Sequence, residues 1–251
     1  MTVATSARRL VAAGAASLLG IAILAALGTW QLQRKAWKEG LIATLEQRFA
    51  AAPMPLPPPE AWPALNSADM EFRRVRFTAA FHHDQEALVY AGGSALRSDA
   101  AGPGYWVFTP ALVADHALVM VDRGFVPEGR QDPARRPQGR VQGPLEVVGV
   151  LRWPEHPAWF SPPPDGAHNL WFVRDPVAIA AAKGLGVVAP FYVEQESPQP
   201  PGGLPSPAKL EVNLPNNHAQ YMLTWYGLAA ALAAVFTAYA VAQWRAGAPA
   251  P

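Results

Sequence analysis

The chain contains no cysteine. Disulfide frameworks, thiolate metal sites and cysteine nucleophiles are excluded together, while the redox compartment stays open because an exported domain of this size can fold without a bridge. Signature motifs of catalysis are missing as well: no HExxH or Cys-His zinc pattern, no GxSxG elbow, no Walker loop and no GxGxxG fingerprint occurs. Gly102-Pro103-Gly104 reads as a turn before a strand, since the helix that phosphate binding requires does not follow it. Charge of one sign is also lacking. With 20 Lys and Arg against 19 Asp and Glu, and the arginines scattered, there is no basic stripe of the kind nucleic acid requires, so no nucleic-acid partner is expected.

Long apolar runs, in contrast, are present at both ends. Leu10 to Trp30 follows Arg8 and Arg9 and precedes Gln31, Arg34, Lys35 and Lys38; Met222 to Trp244 runs 23 residues without a charged side chain. At about 1.5 Å of rise per residue, a helix of that length crosses a hydrocarbon core of roughly 30 Å. The expected order is an N-terminus 1–9, a first transmembrane helix 10–30, a domain 31–220, a second transmembrane helix 221–244 and a tail 245–251. A cleavable signal is the competing reading of the first run, with Ala26-Leu27-Gly28 as a small-x-small site, but signal cores are shorter, about 7 to 15 residues. Two spans put both termini on one side. Arg8, Arg9 and Arg245 mark the short ends, so the positive-inside rule favours cytoplasmic termini and an external domain. Arg34, Lys35 and Lys38 argue the other way.

All nineteen acids and seventeen of the twenty Lys and Arg fall between the runs. That stretch is long enough for one domain with its own core. Leu32 to Arg48 reads as an amphipathic continuation of the first helix. Ala52 to Pro63, with six prolines, reads as an extended polyproline connector that cannot be helical, and Ser197 to Pro207 as a second connector. Between them the vocabulary is that of strands: Phe72 to His82, Ala87 to Tyr90 before Gly92-Gly93, Tyr105 to Leu112, Leu118 to Val126, Leu145 to Leu151 and Phe191 to Val193. Pro176 to Lys183 reads as a helix capped by Asp175. The fold class is therefore an α+β membrane protein, two transmembrane helices flanking a β-rich extramembrane domain that is an antiparallel sheet or partly closed barrel.

Six histidines are present, at positions 82, 83, 116, 156, 168 and 218. His82-His83-Asp84 is expected in a solvated turn, because adjacent strand residues point to opposite faces and cannot both grip one ion. His218 differs. It follows Pro215-Asn216-Asn217, a natural helix start, at the membrane edge of the second span, with Tyr221, Met222 and Trp225 expected on the same face. Histidine commonly holds haem iron, and the distance from His218 to Trp225, about 10 Å of helix, is comparable with a porphyrin. Opposite them, Gly28 permits close helix approach, Trp30 is expected at the depth of Trp225, and Arg34 or Lys35 suits the carboxylates of a cofactor. An equally physical reading makes the aromatics an interfacial belt and the cations snorkelling anchors.

Four motifs in order add a resemblance. Gly28-Thr29-Trp30-Gln31 with Arg34 and Trp37-Lys38, then Gly104-Tyr105-Trp106-Val107-Phe108-Thr109-Pro110, then Val121-Asp122-Arg123-Gly124-Phe125-Val126-Pro127, and finally Asn216-Asn217-His218 with Tyr221, Thr224 and Trp225, resemble the surfeit-locus protein one family from about residue 15 to 244. Two positions depart from its pattern, Phe125 where Trp is frequent and Met222 where Ala usually follows Tyr. The resemblance implies an assembly factor for haem-copper cytochrome c oxidase rather than an enzyme, with two membrane helices around a periplasmic or intermembrane-space domain. It implies haem a as a transient cofactor, His218 as its iron ligand, and Trp225 as that helix's characteristic tryptophan. The implied partners are oxidase subunit I, haem a synthase and the lipid bilayer. The alternative is a cofactor-free membrane scaffold that stabilises oxidase intermediates. Asp122, Arg123 and Gly124 are expected to be structural, Arg123 by pairing a carboxylate and Gly124 by allowing a tight bend.

Overall fold

Valine, alanine and phenylalanine side chains at alternate positions of five strands build the core of the β-rich unit. A computed structural model describes residues 2–92, 94, 96–100, 102–113 and 117–247. Gly93, His116 and the tail residues 248–251, which figure in the sequence reading, lie outside the described residues. The chain forms two compact units, Thr44–Asn213 and Met1–Ala43 with Leu214–Pro251.

In the first of these units the strands are β1 (Met54–Pro55), β2 (Arg74–Phe81), β3 (Ala87–Ala91), β4 (Gly104–Leu112), β5 (Leu118–Pro127), β6 (Pro144–Arg152), β7 (Leu170–Trp171) and β8 (Val188–Ser197). They make one sheet in the order β1-β2-β6-β8-β5-β4-β3-β7, and an additional pairing of β2 with β4 joins five of them into a ring. That closure is short: Ala80 faces Leu112 and Phe81 faces Ala111. The ring is a partly closed barrel. Its pairings are antiparallel except between β5 and β8, which run parallel.

Successive strand residues point to opposite faces, so each ring strand sends alternate side chains into one interior. Val75, Ala111, Val121, Val147 and Phe191 meet there, together with Trp62. Trp62 belongs to a 3-10 turn, Pro59–Ala64, inside the proline tract expected to be wholly extended. The correction has a physical cause: Pro59 sits at the start of the turn, where a missing N–H costs nothing. Trp62 then packs edge-on against Phe191 at 5.5 Å while its indole N–H donates to the Pro57 carbonyl. A second core lies on the outer face, where Trp106, Phe108, Met120 and Tyr192 pack with Val89, Trp171 and Ile179. Ile179 comes from α3 (Pro176–Ala182), whose first N–H groups are capped by Asp175 as expected. A four-residue helix, α2 (Ser67–Met70), precedes β2 and is capped by Asn66.

Within β5 the chain passes through Gly124 at φ +113, a left-handed conformation that glycine accepts readily. A Cβ there would collide with the Ser206 backbone, which pairs with Phe125 through two hydrogen bonds of 2.8 and 3.0 Å. The bend therefore admits the returning 204–207 segment.

The other unit is a helix pair. α1 (Thr2–Ala50) is a single unbroken helix and α4 spans His218–Gly247; the portions Arg8–Ala50 and His218–Arg245 are long and apolar enough to cross a membrane. Ser17, Ile21, Leu24, Gly28, Gln31 and Lys35 are buried or half-buried on α1, as are His218, Met222, Trp225, Ala229, Leu232 and Phe236 on α4. Steps of three and four define the seam of a left-handed helix pair. The helices run antiparallel, since Gly14 faces Phe236, Gly20 faces Leu232 and Gly28 faces Tyr226.

Candidate functional site at the mouth of the helix pair

α4 begins where proline and two asparagines end an irregular stretch: Tyr221 N–H bonds back to the Asn217 carbonyl, and His218 is the first helical residue. Lys38 on α1 donates to the Pro215 carbonyl and ties this entry segment to the opposite helix. One turn deeper, His218 Nδ1 lies 2.7 Å from Gln31 Oε1. Gln31 is only 9% exposed. A carboxamide oxygen accepts and never donates, so Nδ1 is the donor in this contact, and in the neutral ring the lone pair is then on Nε2. Among the described residues nothing bonds to Nε2.

Thr29, two residues from Gln31 on α1, and Tyr226, about two turns on from His218 along α4, join the helices again, their hydroxyls 3.0 Å apart. Thr29 gives its proton to the Ala25 carbonyl, so Tyr226 is the donor between them. The phenol reaches that position because Gly28 has no side chain; a Cβ there would stand 2.8 Å from the Tyr226 ring.

Of the residues gathered from the sequence, His218, Met222 and Trp225 lie half-buried on the seam, whereas Tyr221 is 54% and Trp30 51% exposed on outward faces. Tyr221, at i+3 from His218, lies at the exposed edge of the seam that Met222 at i+4 continues. Arg34 stacks over Trp37 at 4.5 Å and has no carboxylate partner among the described residues. Lys35 pairs with Glu39 at 2.6 Å. Gln31, Thr29 and Tyr226 escaped as site residues. Gln31 carries a signal in its place on the seam spacing of α1, whereas Thr29 and Tyr226 are brought together only by the pairing of the helices.

The barrel unit holds two buried polar clusters. On its outer face Asp122 and Glu194 are neighbours across β5 and β8. Glu194 meets Arg152 at 3.0 Å, Arg174 at 3.6 Å and Arg97 at 3.8 Å, and both Arg97 and Arg174 stack over Trp106. Burial pushes the Asp122 carboxyl up to about 7, the adjacent Glu194 charge adding to the effect. This cluster fastens the second core to the sheet.

The other cluster overturns two expectations. His83 is buried, not solvated: its Nε2 donates to the Val141 carbonyl at 2.7 Å and its Nδ1 accepts from Arg123 at 3.3 Å. Burial, with the nearby Arg123, Arg140 and Arg136, holds its pKa below the usual value. Among the described residues Arg123 pairs no carboxylate. It donates to the Gly139 carbonyl and to His83, and burial lowers its own pKa to about 10. Glu86, whose charge acts on Arg123, is engaged by Arg136. Both ring nitrogens of His83 are thus occupied, and among the described residues no three His, Asp or Glu side chains are placed to hold a metal ion.

Comparison with known proteins converges on one family. The SURF1 family matches residues 18–230. Surfeit locus protein 1 of Rattus norvegicus is 35% identical over 215 residues, covering 82% of this chain and 68% of the relative. The Homo sapiens protein of that name is 34% identical over 216 residues, covering 82% and 70%. The Takifugu rubripes protein is 36% identical over 217 residues, covering 82% and 87%. The chain belongs to the SURF1 family.

Proposed function

We propose that this chain is a non-enzymatic assembly factor for haem-copper cytochrome c oxidase that binds haem a through His218 and assists its insertion into subunit I. The reading rests on the resemblance together with one observation, the His218 ring held at Nδ1 by Gln31 with its ligating nitrogen Nε2 left open. Haem a is cargo here, received from haem a synthase and passed on, so moderate affinity suffices.

The residues fit such cargo. Histidine is a standard axial ligand of haem iron, and an apolar surface with a few polar groups is what a large flat ligand needs. Met222 and Trp225 supply half-buried apolar surface beside the imidazole, Tyr221 and Trp30 supply aromatic flanks, and Arg34 supplies a cation without a carboxylate of its own. In this reading α1 and α4 cross the bacterial inner membrane with cytoplasmic ends, and the barrel unit docks on immature oxidase from the periplasm.

The test is spectroscopic. Full-length protein purified in detergent from cells that make haem a should show a Soret band that His218→Ala weakens substantially; an unchanged band removes His218 as ligand. A cofactor-free scaffold is favoured by the outward exposure of Trp30 and Tyr221, as expected of a simple aromatic belt. It predicts negligible haem and crosslinks to subunit I that persist in His218→Ala.

A further inference from the structure

The seam between α1 and α4 is apolar or glycine at most of its levels, yet at one level it buries a carboxamide against an imidazole. Burying a polar side chain is unfavourable unless it is hydrogen-bonded. A leucine at position 31 would suit the seam spacing as well, so packing alone does not explain a glutamine there. Its oxygen is spent on one atom, His218 Nδ1, at 2.7 Å.

We infer that Gln31 is a positioning residue for His218: it fixes the Nδ1–H tautomer, stops rotation of the ring, and sets the electron-donating strength of Nε2. This rests on the reading of His218 as an iron ligand. Histidine ligands generally give their other N–H to an acceptor that sets ring orientation and basicity, and loss of such a partner lowers metal affinity by about 10- to 100-fold. A neutral carboxamide is a weaker acceptor than a carboxylate. It leaves Nε2 a moderate donor, which suits cargo that must be released.

Thr29 and Tyr226 separate this role from simple helix pairing. Their hydroxyl contact and the Lys38 bond to Pro215 bracket the Gln31 level from either side, so the two helices remain joined when Gln31 is replaced.

Full-length wild type, Gln31→Leu, Gln31→Glu and His218→Ala would be purified in detergent from haem a-producing cells, and haem per protein and the iron midpoint potential measured for each. His218→Ala should be depleted of haem. Gln31→Leu should bind about 10- to 100-fold more weakly. Gln31→Glu, which keeps the size of the side chain but accepts the Nδ1 proton more strongly, should retain haem with a midpoint potential more negative than wild type. Should Gln31→Leu fail to fold, the potential of Gln31→Glu decides. Wild-type potential in Gln31→Glu, with His218→Ala depleted, overturns the role of Gln31 and leaves the ligand standing. Undiminished haem in His218→Ala overturns both.

Discussion

Asp122 and Glu194 stand side by side on the parallel strands β5 and β8 with both carboxyl groups buried. The acids share a neighbourhood with Arg97, Arg152 and Arg174, and Asp122 also accepts the Gly124 N–H at 3.0 Å. Burial wins over these partners at Asp122, whose pKa is raised from 3.8 to about 7. In the window between those values the folded chain keeps a proton that the unfolded chain has released. Stability therefore declines as pH rises through the window and levels off above it. Asp122→Asn should flatten this component. Denaturant midpoints of the detergent-solubilised protein, measured from about pH 5 to about pH 8, check it; equal slopes for wild type and variant would contradict the assignment.

Glu194 is the carboxylate on which three arginines converge. Glu194→Gln should destabilise the barrel unit by about 3–5 kcal/mol, because buried guanidinium groups lose their counter-charge. Glu155, a partly exposed partner of Arg174, is the control: Glu155→Gln should change stability by less than about 1 kcal/mol. Similar losses in thermal or denaturant unfolding would show that the convergence on Glu194 carries no special weight.

His83 makes the opposite contribution on the acid side. Its folded pKa lies below 6.5, chiefly through burial, so the unfolded chain takes up a proton first and stability falls as pH drops below that value. His83→Gln should lose this acid-side slope. Because the Asp122 effect opposes it in an overlapping range, each is measured as a difference between wild type and its single variant. Arg123→Lys, which cannot reproduce the guanidinium fork to Gly139 and His83, should cost about 1–3 kcal/mol. Full stability in that variant would reject the fork as a structural element.

Gly28 offers a test confined to the helix pair. A valine there would drive its branches into the Tyr226 ring, forcing the helices apart or the phenol away from Thr29. Overpacking of this kind typically costs about 1–3 kcal/mol. Reduced crosslinking between cysteines introduced on α1 and α4 would register the separation, and unchanged crosslinking would place Tyr226 elsewhere.

Strands rich in aromatic and β-branched residues and bounded by Gly and Pro were legible in the sequence. β4 and β5 appear within a residue of expectation, and α3 begins at its Asp175 cap. The sequence pattern predicts only Phe191 to Val193 of β8, which runs from Val188 to Ser197. Its second half is Glu194, Gln195 and Glu196, buried polar side chains that conceal a strand until the arginines covering them are known. Trp62 hid a turn in a proline tract for a related reason, since the barrel interior that receives it is assembled from distant strands. His218 stood out by its place beside an apolar run. Its partner did not, because Gln31 is 187 residues away and only the pairing of the helices brings the two together.

The barrel's closure joins β2 to β4 through only two residue pairs, while β2 and β6 are matched along seven. A ring clasped over so short an arc is weakest at its clasp. Parting Ala80 and Phe81 from Ala111 and Leu112 would uncover the interior lined by Val75 and Val121 while every longer ladder stays zipped, and would turn the cylinder into a half-pipe without unfolding it.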